Sequence, residues 1–290
     1  MTTPSLHKLP APPRPLLRRR ASLPRPETVA AARAAAVQNL LEPYLYDYAG
    51  FVDLVCDELH DPRSRPRILE FGCGTGRLTV PLLATRSDVE YHGFDRSPSR
   101  IAVAMERVAR QGLERRAQFT APFPLDPRAI GEVLQGHRVD FLLLPRFLQT
   151  VPLCGTEASS PHRVSFLAFC RQMVKPGGRI IVIEDVYGES AEEHARLSLA
   201  SRGMFRAGLI ANLDRVHRAL SDADPALGAR VGWLPGDPAL LEDLFHRVQR
   251  PDAQILPLST WQRMFDHLGF TYRTVSHPSQ KALHLFTIRC

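Results

Sequence analysis

The sequence predicts an α/β protein built on a doubly wound, mostly parallel sheet, and three observations predict it. A short apolar run, Ile68, Leu69 and Phe71, passes directly into glycines at alternate positions, Gly72, Gly74 and Gly76. It is too short for a helix and glycine bounds it, so it reads as a buried strand. Further apolar runs at Val89 to Phe94, Val139 to Leu144 and Arg179 to Ile183 alternate with helix-length amphipathic stretches, as parallel strands joined by crossover helices do. Finally, 290 residues with 44% hydrophobic and 23% charged composition suit one such domain with an insertion better than two independent domains.

Taken in order, residues 1–27 form a basic tail. Before Glu27 stand six basic residues, no acid and seven prolines, a composition that predicts an extended, disordered segment. Glu27 to Leu41 is alanine-rich and favours a helix, which Pro43 interrupts. From Tyr44 to Leu59 apolar residues recur at helical spacing, and residues 61–66 lead into the first strand. The glycines let the backbone turn sharply and a ligand approach closely, ahead of a helix from Leu78 to Leu83. The second strand ends in Asp95; Ser97 then caps a helix to about Gln111, with Pro98 at its first position. A weak strand at Ala117 to Thr120 precedes a Pro-rich loop, Pro122 to Pro127. After the Val139 strand comes a helix from Val164 to Val174, a turn at Lys175 to Gly178, and the Arg179 strand. Residues 188–256 form a helical insertion, too apolar for a linker, and no internal repeat appears. Ser259 or Thr260 caps a last helix that Gly269 ends, and Thr271 to Val275 and Ala282 to Ile288 read as a strand pair. The core is thus 28–187, completed by 257–290.

Composition excludes several classes. No apolar run approaches the length needed to span a bilayer, and the N-terminus lacks the apolar segment of a secretory signal. Five scattered cysteines without ligand spacing suggest a reduced, cytoplasmic protein with no structural metal. The net charge of +7 belongs to the tail, since the remaining 31 basic residues nearly balance 30 acidic ones. Arginine outnumbers lysine 34 to 3 throughout, which weakens any special reading of the tail's arginines. Nucleic acid is therefore not among the expected partners, although such a tail can meet an acidic polymer.

Glu70, at the end of the first strand, is placed to meet a cationic group. A dinucleotide loop would read G-x-G-x-x-G, but here the last glycine comes one residue early. E-F-G-C-G-T-G (Glu70 to Gly76) instead resembles the first motif of the class I S-adenosylmethionine (SAM) dependent methyltransferases, of small-molecule type. H-G-F-D-R-S-P (His92 to Pro98), V-D-F-L-L-L-P-R-F-L-Q-T-V (Val139 to Val151), V-K-P-G-G-R-I-I-V-I-E (Val174 to Glu184) and L-S-T-W-Q-R-M-F-D-H-L-G-F (Leu258 to Phe270) are similar to later segments of that family, in the right order. The resemblance implies a Rossmann-like, seven-stranded sheet with one antiparallel C-terminal strand. It implies that Glu70 holds the methionine ammonium of SAM. Gly72, Cys73, Gly74 and Gly76 would line the methionine portion, Asp95 the ribose, and Arg96, Ala121, Pro122 and Leu144 the rest of the cofactor. Ala121 stands where many relatives carry an acid for the adenine.

Methyl transfer from a sulfonium needs alignment and exclusion of water more than a catalytic group, with a base where the nucleophile is protonated. Glu184, Asp185, Tyr187, His194 and His162 are the candidates, because they follow the fourth or fifth strand on the ligand-bearing edge. Tyr46, Arg146 and Gln149 are the substrate-binding candidates, Arg146 for a carboxylate. Leu144-Pro145 replaces the acid of a catechol-type metal site, so no metal is expected. L-P-R-F replaces the turn of adenine and cytosine methylases, and Gln149-Thr150 a histidine pair of many small-molecule relatives. The expected function is methyl transfer to an O, N or C atom of a small molecule, a specialised metabolite, beneath a lid made of the insertion and the helix of Tyr44, Tyr46 and Tyr48. The insertion would equally serve as a homodimer surface. An RNA or protein methyltransferase, a non-catalytic SAM-binding scaffold and, remotely, a nicotinamide oxidoreductase are the alternatives.

Overall fold

The computed structural model describes residues 29–59, 65–121, 130–151, 161–231, 236–248, 255–277 and 280–290, less 133, 135 and 281. The basic tail, Pro122 and Cys154 lie outside these residues. Strand β1 (Arg67–Phe71) occupies the centre of one sheet, between β2 (Glu90–Phe94) and β4 (Val139–Pro145), both parallel to it. Outside them lie β3 (Ala117–Thr120) and β5 (Val174–Tyr187), also parallel. Strand β8 (Leu283–Arg289) pairs antiparallel with β5, and β7 (Thr271–Ser276) antiparallel with β8, for an order β3-β2-β1-β4-β5-β8-β7. The strand count is eight rather than seven, because the two-residue β6 (Leu256–Pro257) returns from the insertion to pair with Val186 and Tyr187 of β5.

Three local expectations are corrected. Lys175 to Gly178 is not a separate turn but an irregularity within β5. Gly177, at φ 82°, donates its N–H to the Cys290 carbonyl at 2.7 Å, and Cys290 donates to Gly178 at 3.0 Å, so edge bonding survives the kink. The same strand runs on to Tyr187, so Glu184, Asp185 and Tyr187 stand within it and not after it. Second, helix α1 (Val29–Leu45) continues through Pro43. Proline lacks an N–H and leaves the carbonyl four residues back, that of Asn39, without its helical donor; Arg77 Nη2 donates to it instead. Third, α2 begins only at Tyr48 (Tyr48–Glu58), capped by Asp47, whose Oδ1 accepts from the Gly50 N–H at 3.0 Å. Tyr44, Tyr46 and Tyr48 therefore straddle the α1–α2 junction.

Helices α3 (Thr79–Thr85) and α4 (Pro98–Arg110) follow β1 and β2, with Ser97 capping α4 as expected, and α5 (Pro161–Met173) precedes β5. The insertion folds as α6 (Ala191–Ala211), α7 (Leu213–Ala223), α8 (Pro225–Val231) and α9 (Pro238–Val248). Helix α10 (Leu258–His267) starts directly after Pro257 with neither Ser259 nor Thr260 capping it. Glu189 supplies the cap from a distance, accepting from the Ser259 N–H and hydroxyl at 2.8 Å each.

Side chains alternate across the sheet, which sorts the core into two layers. Leu69, Phe71, Leu142, Leu144 and Val182 pack on α5 and α10 through Leu167, Trp261 and Phe265. Ile68, Leu143, Ile181 and Ile183 face the other way, toward Leu41 and Val55 and then Phe205, Leu220 and Leu244 of the insertion. Each fully buried side chain of this kind stabilises by roughly 1.5–3 kcal/mol. The insertion and α1 thus cover the face on which Glu70 emerges. Among the described residues no helix is long and apolar enough to cross a membrane.

Candidate functional site

The glycine turn leaves β1 with Gly72, Gly74 and Gly76 all at positive φ, 76°, 55° and 72°, a backbone that side chains other than glycine rarely adopt. The N–H groups of Gly72 and Cys73 both donate to the Phe94 carbonyl, at 2.8 and 3.0 Å, fastening the turn to the end of β2. The three glycines do different work. A Cβ on Gly72 would stand 2.9 Å from the Phe147 ring, and one on Gly76 3.2 Å from Ala104 of α4. At Gly74 the nearest atom would be 3.9 Å away, so there the absent side chain leaves open space.

Asp95 is buried just past β2 and braces this turn. Its Oδ2 accepts from the Gly74 N–H at 2.9 Å, and its Oδ1 from the Ser97 N–H at 2.9 Å. Glu70 lies beneath the turn, 2% exposed. Its Oε2 accepts from the Tyr91 hydroxyl at 2.6 Å, which in turn accepts from the Thr79 hydroxyl at 2.8 Å. Burial, with help from Asp95 and against the Tyr91 hydrogen bond, raises the Glu70 carboxyl to about 7. Burial likewise pushes the Cys73 thiol far above its ordinary range, so it is an inert wall and not a nucleophile.

Above Glu70 lies a cavity of about 50 Å³, bordered by Asn39, Glu42, Tyr48, Gly74, Arg77 and Arg146. It has room for one or two waters, against roughly 300–1,000 Å³ for a ligand pocket. Helix α1 closes it: Arg77 holds the Asn39 carbonyl, and Glu42 lies between Arg77 at 3.9 Å and Arg146 at 3.7 Å. Arg146 is the only non-glycine residue at positive φ (52°) among those described, and its N–H donates to the Ile183 carbonyl at 2.6 Å. Its Nε donates to Asp185 at 3.0 Å and its guanidinium covers the Tyr46 ring at 3.8 Å. Burial opposes its charge, but Tyr46, Asp185 and Glu42 outweigh burial and hold it protonated.

Arg146 also lines a second cavity, of about 440 Å³, under the insertion. Here the structure brings together most of the expected acceptor-side residues: Tyr46, Gln149, Asp185, Tyr187 and His194. His194 meets the Tyr187 ring edge-on at 4.2 Å. Glu184 is the exception. It points to the opposite face, fully buried, where its Oε1 accepts from the Leu148 N–H at 2.7 Å and the Gln149 N–H at 3.4 Å. Burial first, then Asp185, raises it to about 8. It holds the 148–150 turn and touches neither cavity. Leu144 is corrected for the same reason of strand parity: it packs in the α5–α10 layer, and Pro145 and Ile183 border the smaller cavity instead. Arg96 is exposed and Ala121 half-buried, while Pro122 and the side chain of His162 lie outside the described residues.

Sequence reasoning missed several residues. Tyr91 was recoverable from strand parity, since it pairs with Ile68 on the Glu70 face. Arg77 adjoins the glycine motif. Glu42, Arg202 and His246 carried no local signal, and only the packing of α1, α6 and α9 brings them to the cavities.

The sheet order and this turn together define a Rossmann-like fold. Residues 69–180 match the family described as a methyltransferase domain. The match runs from β1 into β5 and leaves α1, the insertion and the C-terminal strands outside it. Among solved structures, an O-methyltransferase family protein from Burkholderia thailandensis is similar with a TM-score of 0.53 and 16% identity, covering 90% of this chain and 59% of its own. A candidate O-methyltransferase from Nostoc punctiforme also gives a TM-score of 0.53 and 16% identity, covering 88% of this chain and 60% of its own. This chain therefore spans about three fifths of the length of these proteins. No curated protein matches it by sequence.

Proposed function

We propose that this chain transfers a methyl group from SAM to an O, N or C atom of a small molecule. One observation carries the reading: a buried carboxylate and an open glycine turn, braced by Asp95, stand beside a ligand-sized cavity roofed by the insertion. The residues fit the cofactor. Glu70 would hold its ammonium, Gly74 would admit its chain, and Asp95 has lone pairs beyond those used by Gly74 and Ser97 for ribose hydroxyls. SAM supplies a methyl group already electrophilic on sulfonium.

The chain's own work is then alignment and exclusion of water, which can supply roughly 7–11 kcal/mol in the best cases. Arg146 borders both cavities and Tyr46, under its guanidinium, borders the larger one, so an acceptor resting on them would face the methyl. Asp185 is engaged by Arg146, which leaves His194 as the group to take a proton, with His246 across the cavity from it on α9.

The 50 Å³ space above Glu70 is the observation that favours a degenerate scaffold, one that binds neither SAM nor its product, since α1 must give way before SAM enters. Calorimetric titration with SAM and with its demethylated product separates the two. Binding of both, followed by label transfer from methyl-deuterated SAM to a panel of phenols and amines, supports the enzyme. Binding of neither leaves the scaffold. The polymer-directed alternative rests on the tail, and loss of polymer binding on deleting residues 1–26 would support it.

A further inference from the structure

A carboxylate of the chain itself already sits between the two arginines of the smaller cavity. Glu42 of α1 places Oε2 at 3.9 Å from Arg77 Nε and Oε1 at 3.7 Å from Arg146 Nη1. Both nitrogens are closed to solvent, and neither makes a hydrogen bond among the described residues. Two guanidiniums thus flank one carboxylate at ion-pair distance, beyond the roughly 2.7–3.2 Å of a hydrogen bond. Their other nitrogens are committed: Arg77 Nη2 donates to the Asn39 carbonyl of the same helix, and Arg146 Nε to Asp185 at 3.0 Å. Glu42 therefore holds a carboxylate position that it fills only loosely.

Glu70 borders the same cavity. A carboxylate together with two guanidiniums matches an α-amino acid, which carries an ammonium and a carboxylate on one carbon, and SAM ends in such a group. Its ammonium has Glu70, and Arg77 and Arg146 are the cations bordering the cavity among the described residues. Volume forbids both carboxylates at once. About 50 Å³ has room for one or two waters and not for an amino-acid group beside Glu42. Charge points the same way. Glu42 and Asp185 balance Arg77 and Arg146. A further carboxylate would be a buried anion without a cation, whereas one that replaces Glu42 leaves the balance unchanged. Resting on the SAM-binding reading, we propose that Glu42 is a resident stand-in for the cofactor's carboxylate and that SAM enters by exchange, its carboxylate taking Arg77 and Arg146 from Glu42. Those contacts form only once α1 has released the arginines, so they bias α1 toward release. The carboxylate expected for Arg146 is then the cofactor's rather than the acceptor's.

The test is calorimetric titration of the full chain with SAM and with decarboxylated SAM, which keeps the sulfonium and the ammonium and lacks only the carboxylate. SAM should bind at least about tenfold more tightly. Glu42→Gln removes the competing charge and should tighten SAM binding and widen the gap between the two ligands by about threefold or more. Arg77→Gln removes one of the two cations and should narrow that gap. Decarboxylated SAM binding as tightly as SAM, or a Glu42→Gln protein that binds SAM more weakly or shows a gap unchanged or reduced, overturns the proposal; weaker binding there would make Glu42 a partner of the ammonium instead. The wild-type pair and Arg77→Gln decide the matter where Glu42→Gln does not fold. Equal binding of the two ligands sinks the exchange alone and leaves methyl transfer standing, whereas binding of neither sinks both.

Discussion

Replacing Glu70 by Gln separates the structural cost of a buried carboxylate from its use. The group titrates near 7 in the folded protein against 4.5 ordinarily. Between those values the native state binds one more proton than the unfolded chain, so stability falls as pH rises, by about 1.4 kcal/mol per pH unit. By pH 8 the accumulated penalty is about 3 kcal/mol. Gln keeps an oxygen for the Tyr91 hydroxyl and has no charge to form. Glu70→Gln is expected to match the wild type near pH 4.5 and to exceed its stability by up to about 3 kcal/mol at pH 8. Urea unfolding at several pH values measures this, and the slope from Glu184, common to both proteins, cancels in the difference. Cofactor binding should move the opposite way. An ammonium over Glu70 selects the ionised form, so wild-type affinity for SAM falls about tenfold per unit below pH 7. The variant lacks a charge-assisted hydrogen bond worth roughly 1.5–3 kcal/mol, about 10–150-fold at pH 8, and has no such pH dependence. A variant less stable than wild type at pH 8, or one that binds SAM equally well there, refutes the reasoning.

Pro43→Ala restores the helical donor to the Asn39 carbonyl and competes with Arg77 for it; stopped-flow mixing should show faster SAM association, and an unchanged rate would argue that α1 does not gate the site. Arg146→Ala leaves Asp185 and Glu42 without their cation and should cost about 3–5 kcal/mol in denaturant unfolding. Arg146→Gly should recover about 1 kcal/mol of that, because φ is 52° at this position. His194→Ala should lower kcat on a hydroxyl acceptor by about 100-fold or more, whereas His246→Ala should act mainly on KM; the reverse pattern would exchange their roles.

Much of this protein was readable in one dimension because its signals are local. Apolar runs of strand length, three alternating glycines, Ser97-Pro98 before a helix and Gly269 after one each state a backbone preference that the neighbouring residues do not contest. Acids at strand ends, Glu70 and Asp95, were legible for the same reason. Errors fell where partners distant in the chain override a local preference. Pro43 stops a helix only if the carbonyl it orphans finds nothing better than water, and Arg77 supplies something better. Ser259 caps α10 only if no stronger acceptor arrives, and Glu189 arrives from across the insertion. Glu184 and Asp185 are adjacent and chemically alike, yet strand parity sends one into the core and the other to a cavity.

The sequence by itself determined the order of strands and helices, the glycine turn and the acids that flank it, because these depend on backbone conformation over a few residues. Only the tertiary structure decided which charges meet. Helix α1, which ends at Leu45, far in sequence from the turn at Gly72, lays Glu42 between Arg77 and Arg146 and narrows the space over Glu70, while α6 and α9 set two histidines beside a cavity lined by Arg146 and Gln149. Interactions between charges depend on distance through space, and in a folded chain that distance bears little relation to separation along it.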